Sequence, residues 1–172
     1  MGLGNPGWRY ANTRHNVGFQ VIYSLGEAHR IVLRHHLPTA VYGEGTIEGQ
    51  VVVLALPLTY MNASGKAAAD LCAHFSTPPT DLIVVHDDLD LPLGRVRLKM
   101  KGGDAGHHGV QSIIDHLGTG EFPRIRIGIG RPASRDEIVA YVLSPFMPDE
   151  LPPVHDAVRD AEQKIAHLLR SA

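Results

Sequence analysis

The run Val51-Val52-Val53-Leu54-Ala55-Leu56, closed by Pro57, constrains this chain more than any other feature. Six apolar residues, three of them β-branched, with no polar alternation mark a strand covered on both faces. A sheet with helices packed on both sides provides that cover. Leu82 to Val85 repeats the pattern and runs into the polar His86-Asp87-Asp88. Arg124 to Ile129 turns Ile125, Ile127 and Ile129 to one side. Arg95 to Lys101 alternates strictly, with Val96, Leu98 and Met100 facing inward and four basic residues facing outward. A short strand is expected around Val41.

Between these runs the apolar residues fall at helical spacing. Helices are predicted at about 15–28, 64–75, 109–117, 135–143 and 154–169. The last carries a stripe of Val154, Val158, Ala161, Ile165 and Leu168. Strands alternating with helices predict an α/β fold: a twisted, mixed, partly parallel sheet with helices on both faces. At 172 residues, one domain spanning 1–172 accounts for the whole chain.

Several chemistries are disfavoured. Gly2-x-Gly4-x-x-Gly7 spells a dinucleotide fingerprint, but that loop needs a strand before its first glycine and only Met1 precedes it. His86-Asp87-Asp88 could suggest a metal, as could His35-His36 and His107-His108. Neighbouring residues of a strand point to opposite faces, however, and neither an HExxH motif nor paired Cys/His spacing is present. No metal and no cofactor is predicted. No G-x-S-x-G elbow exists, and Ser64 reads as a helix N-cap. Cys72 is the sole cysteine, on the apolar side of its helix, and reads as buried and inert. No apolar run is long enough to span a membrane, and nothing before Gly2 reads as a leader.

A more coherent group remains. Asn5, Asn12, Asn16, Asn62 and Asp87 lie in loops or at strand ends, where open α/β sheets bind ligands. Asn62 follows the strand at Val51 and Asp87 ends the strand at Leu82, which is expected to make the two groups neighbours, and a histidine beside them is a candidate base that the carboxylate can orient. The basic strand at 95–101, with Arg124, Arg126 and Arg131 on a strand that can pair with it, could grip phosphates although the chain's net charge is −2.

Four segments in register resemble bacterial peptidyl-tRNA hydrolase. They are Gly2-Leu3-Gly4-Asn5-Pro6-Gly7 with Tyr10, Thr13-Arg14-His15-Asn16 and Gly18; Pro57-Leu58-Thr59-Tyr60-Met61-Asn62 with Ser64-Gly65; His86-Asp87-Asp88-Leu89-Asp90-Leu91-Pro92 with Gly94; and Gly102-Gly103 through Gly106-His107-His108-Gly109 to Arg126-Ile127-Gly128-Ile129-Gly130. The resemblance implies metal-independent hydrolysis of the ester joining a peptide to the 3′ ribose of tRNA, which recycles the tRNA. It implies His15 as the base that activates water, Asp87 as its orienter, and Asn62 with Met61 along the peptide. Asn5 would distinguish a blocked amino group from a free one. Tyr10 and Tyr60 would shape the cleft, and Lys99 and Arg126 would clamp the terminal phosphate. His108 stands where the family carries an asparagine. An apolar strand precedes Gly-Leu-Gly-Asn in the family, so here, after Met1 alone, most of that strand is expected to be missing. The implied protein is a cytoplasmic monomer that acts on the acceptor end of peptidyl-tRNA, without a membrane or an obligate protein partner. The alternative is a catalytically impaired RNA-binding member of the same fold.

Overall fold

The computed structural model describes residues 1–172. Six strands form two three-stranded sheets. In the first, β1 (His35–Leu37), β2 (Ala40–Ile47) and β3 (Gln50–Pro57) are antiparallel neighbours in that order. In the second, β6 (Arg124–Gly128) lies between β4 (Val84–Asp88) and β5 (Val96–Lys99), parallel to β4 and antiparallel to β5.

Met1–Leu3 joins the two. Gly2 N–H donates to the Ala55 carbonyl of β3, Leu3 N–H to the Val85 carbonyl, and Val85 N–H to the Met1 carbonyl. Gly2 pairs with Val85 in parallel. The result is one mixed layer with three amino-terminal residues at its centre. An apolar crevice of about 550 Å³ opens between β3 and β4, at the end of β4 away from Asp87. It explains why Val51 is 82% exposed although its run reads as fully buried.

Helices cover both faces. α1 (Val17–His29) and α5 (Leu151–Arg170) pack with Val85, Ile125 and Ile127 on one side. α2 (Ser64–His74) and α3 (His108–Leu117) pack with Val84, Leu3 and Phe122 on the other. The segment predicted as one helix over 135–143 is a 3₁₀ turn, Arg135–Glu137, followed by the short α4 (Ile138–Val142).

Three expectations need correction. Ser64 is the first residue of α2, and its hydroxyl donates backward to the Met61 carbonyl instead of accepting as a cap. The inward face of the basic strand is covered only at Val96. Leu98 and Met100 are 37% and 54% exposed, because β5 is an edge strand that stops at Lys99. Cys72 is half-buried against the crevice, and burial raises its thiol pKa.

The approach of α1 to the sheet places the chemistry. A Cβ on Gly18 would lie 2.4 Å from the Val85 carbonyl oxygen, and one on Gly2 would lie 2.3 Å from the Gly18 oxygen. Backbone therefore meets backbone, and only glycine fits. This contact sets the turn before α1 over the carboxyl end of β4.

Candidate active site

That turn is the 3₁₀ segment Arg14–Asn16, so His15 precedes α1 instead of opening it. Both neighbours of His15 are buried and tied down in different directions. The Arg14 guanidinium donates to the Pro145 carbonyl at 2.9 Å, pairs with Glu150 at 2.7 Å and lies over the Tyr141 ring. Asn16 accepts from Asn5 N–H and donates back to the Asn5 carbonyl, both at 2.9 Å. Held between these anchors, the His15 imidazole faces the cleft.

His15 Nδ1 lies 2.8 Å from Asp87 Oδ2. The other carboxylate oxygen lies 2.7 Å from His107 Nε2. Asp87 is 2% exposed. Its burial opposes ionisation, but the two imidazoles outweigh that and hold its pKa well below the usual carboxylate range. Burial also works to lower the His15 pKa, yet the charge of Asp87 and its hydrogen bond carry the net shift upward. A carboxylate accepts from Nδ1–H, so the free lone pair of neutral His15 is on Nε2, which has no protein partner and is open to the cleft. Next along β4, His86 donates from Nδ1 to the Asp87 carbonyl at 2.7 Å. Burial lowers the His86 pKa to about 3, so this third imidazole stays neutral.

The cleft holds about 380 Å³ and is lined by His15, Asp87, Asn5, Tyr60, Met61, Asn62 and His108 among others. Asn5 is buried, with Oδ1 accepting from Met61 N–H at 2.7 Å. Met61 is buried and fixes the turn from which the exposed Asn62 projects. Tyr10 sits at the rim, edge-on to Tyr60, which is 62% exposed. His108 is exposed at the first turn of α3. Ile138, Val139, Val142 and Leu143 supply an apolar wall.

Lys99 and Arg126 lie outside the cleft lining, on the sheet face that also carries Arg97 and Arg124. Lys99 Nζ donates to the Gly103 carbonyl at 3.2 Å, and Arg126 Nε pairs with Asp88 at 2.7 Å. Arg124 is not available for a phosphate. It is 1% exposed and donates to the carbonyls of Gly102, Gly103 and Gly120. Arg131 pairs with Asp90.

His107 is a site residue that the sequence does not single out. As a tandem pair His107-His108 is not expected to converge on one point, and the resemblance points to His108. The fold instead places His107 with His15 and Asp87, their nearest donor atoms within 4.8 Å of one another. The separations inside this group are hydrogen-bond distances, and the second nitrogen of His107 is engaged elsewhere. The one available signal was position, since His107 stands at the predicted start of a helix, where a side-chain acceptor is wanted.

A peptidyl-tRNA hydrolase family model matches residues 1–172. The peptidyl-tRNA hydrolase of Bacillus subtilis (strain 168) is 50% identical over 157 residues, covering 91% of this chain and 84% of that protein. That of Aquifex aeolicus (strain VF5) is 48% identical over 161 residues, covering 94% and 84%. The crystal structure of peptidyl-tRNA hydrolase from Acinetobacter baumannii superimposes with a TM-score of 0.94 at 38% identity, covering 99% of this chain and 87% of that one.

Proposed function

This chain belongs to the peptidyl-tRNA hydrolase family, and from that premise we propose how its cleft cleaves the ester between a peptide and the 3′ ribose of tRNA. The observation that carries the reading is the His15–Asp87 pair at 2.8 Å, with Nε2 open to the cleft. His15 Nε2 takes a proton from water, and the hydroxide attacks the ester carbonyl. Asp87, kept ionised, stabilises the imidazolium that forms. The exposed amide of Asn62, beside His15 in the cleft, donates to the carbonyl oxygen as its charge grows. His15 then returns the proton to the departing ribose oxygen, so the products are a free peptide acid and tRNA.

Asn5 reads the amino end. A backbone N–H can only donate, so the atom facing Met61 N–H is Oδ1, which leaves Nδ2 as the group turned to the cleft. A donor there favours the amide carbonyl of a blocked amino group and opposes the ammonium of a free one. Tyr10 and Tyr60 shape the entrance, His108 lines it, and Lys99 with the free end of Arg126 meets backbone phosphates of the acceptor end. Every cleft residue comes from one chain, so a monomer suffices. A substrate made by translation places the enzyme in the cytoplasm. The catalytically impaired alternative has no observation in its favour.

The test is turnover of N-acetyl-aminoacyl-tRNA by His15→Ala and Asp87→Asn. His15→Ala should lower kcat by about 10²–10⁴ with RNA affinity kept, the usual range for a general base. Asp87→Asn should lose activity at neutral pH because a neutral amide cannot stabilise the imidazolium. Near-parent turnover by His15→Ala would remove the base from its role.

A further inference from the structure

We propose that His107 is a positioning residue with two separable jobs: its Nε2–H holds Asp87 for His15, and its Nδ1 caps helix α3, tying that helix to the catalytic pair. The inference rests on the reading of His15 as the base.

The geometry assigns each nitrogen of the ring. Nδ1 accepts from Gly109 N–H at 3.1 Å and Val110 N–H at 3.3 Å. Backbone N–H groups cannot accept, so Nδ1 carries a lone pair and the ring proton is on Nε2. Nε2–H then donates to Asp87 Oδ1 at 2.7 Å. His107 has extended backbone at the N-cap of α3, the position where an acceptor satisfies otherwise unpaired helix donors. The ring is 10% exposed and is braced edge-on by the buried His86 at 4.7 Å between centroids.

Asp87 therefore has one hydrogen bond on each oxygen, His107 on one and His15 on the other, and its plane cannot turn. With Oδ2 fixed, the His15 ring is fixed, and Nε2 keeps its aim at the attacking water. Small misplacements of a base are costly in rate. Through the cap, the same ring sets the start of α3, where His108 lines the cleft.

Two substitutions divide the jobs, because Asn places a carbonyl oxygen near Nδ1 and Gln places an amide nitrogen near Nε2. His107→Asn should keep the cap, and so melt above His107→Ala, while losing the bond to Asp87. Its kcat should fall about 10–100-fold, the worth of a hydrogen bond to a charged group, with KM little changed. With one donor fewer, Asp87 pulls harder on the His15 proton, so the acid limb of kcat/KM should move to higher pH. His107→Gln should keep most of kcat and melt at a lower temperature. Parent kcat and acid limb in His107→Asn, or a loss in His107→Gln as large as in His107→Ala, would overturn the proposal. His15→Ala measured alongside keeps the two readings apart: if it retains turnover the base is misassigned, whereas a collapse with an unaffected His107→Asn condemns only the role of His107.

Discussion

At the scale of single residues the site is a set of fixed donors and acceptors, and Asn5 shows how far that goes. Its Oδ1 is committed to Met61 N–H, so its selectivity comes from the two hydrogens left on Nδ2. Asn5→Asp keeps an acceptor for Met61 and turns an anionic oxygen toward the cleft instead. The ratio of rates on N-acetyl-aminoacyl-tRNA and free aminoacyl-tRNA should then fall by about tenfold or more, since donors that meet a substrate acceptor become repulsive. A variant with the parent's ratio would show that the amide does not meet the amino end. The resemblance supplied His15, Asp87 and Asn5 as roles, but it carried no information on which face of each group is free. That depends on partners far along the chain, such as Met61 for Asn5 and Ser144, Pro145 and Glu150 for the turn bearing His15. Periodicity reports local partners only, so neither Arg14 as an anchor nor His107 as a cap could be read from it.

Elements meet where side chains are smallest. α2 begins just after Met61 and Asn62, α3 begins just after His107, and the two cross at Gly65. Gly65 N–H donates to Ser112 Oγ at 2.9 Å, and a Cβ there would lie 2.0 Å from the Ser112 carbonyl oxygen. Gly65→Ala must push the helices apart. It should cost about 1–3 kcal/mol, the usual range for overpacking, and should lower kcat by moving both walls of the cleft. Calorimetry and turnover should be compared with Gly103→Ala, where a Cβ meets nothing within 4 Å and little change is expected. Equal effects of the two changes would mean the crossing is not tight. The helices were legible because their apolar faces repeat at 3.6 residues, and α1, α2, α3 and α5 begin and end within three residues of their predicted bounds. Exposure along the strands was less so. Val51 and Met100 have strand-core chemistry, yet both border the crevice, and whether a strand's neighbour extends as far as the strand does is a property of the sheet.

For the whole molecule, charge is sorted by face. The net charge of −2 conceals a sheet face carrying Arg97, Lys99 and Arg126. Lys99→Ala and Arg126→Ala should raise KM for the tRNA substrate and each flatten its dependence on log salt by roughly one phosphate contact. An unaltered slope in both variants would leave that face as solvated surface.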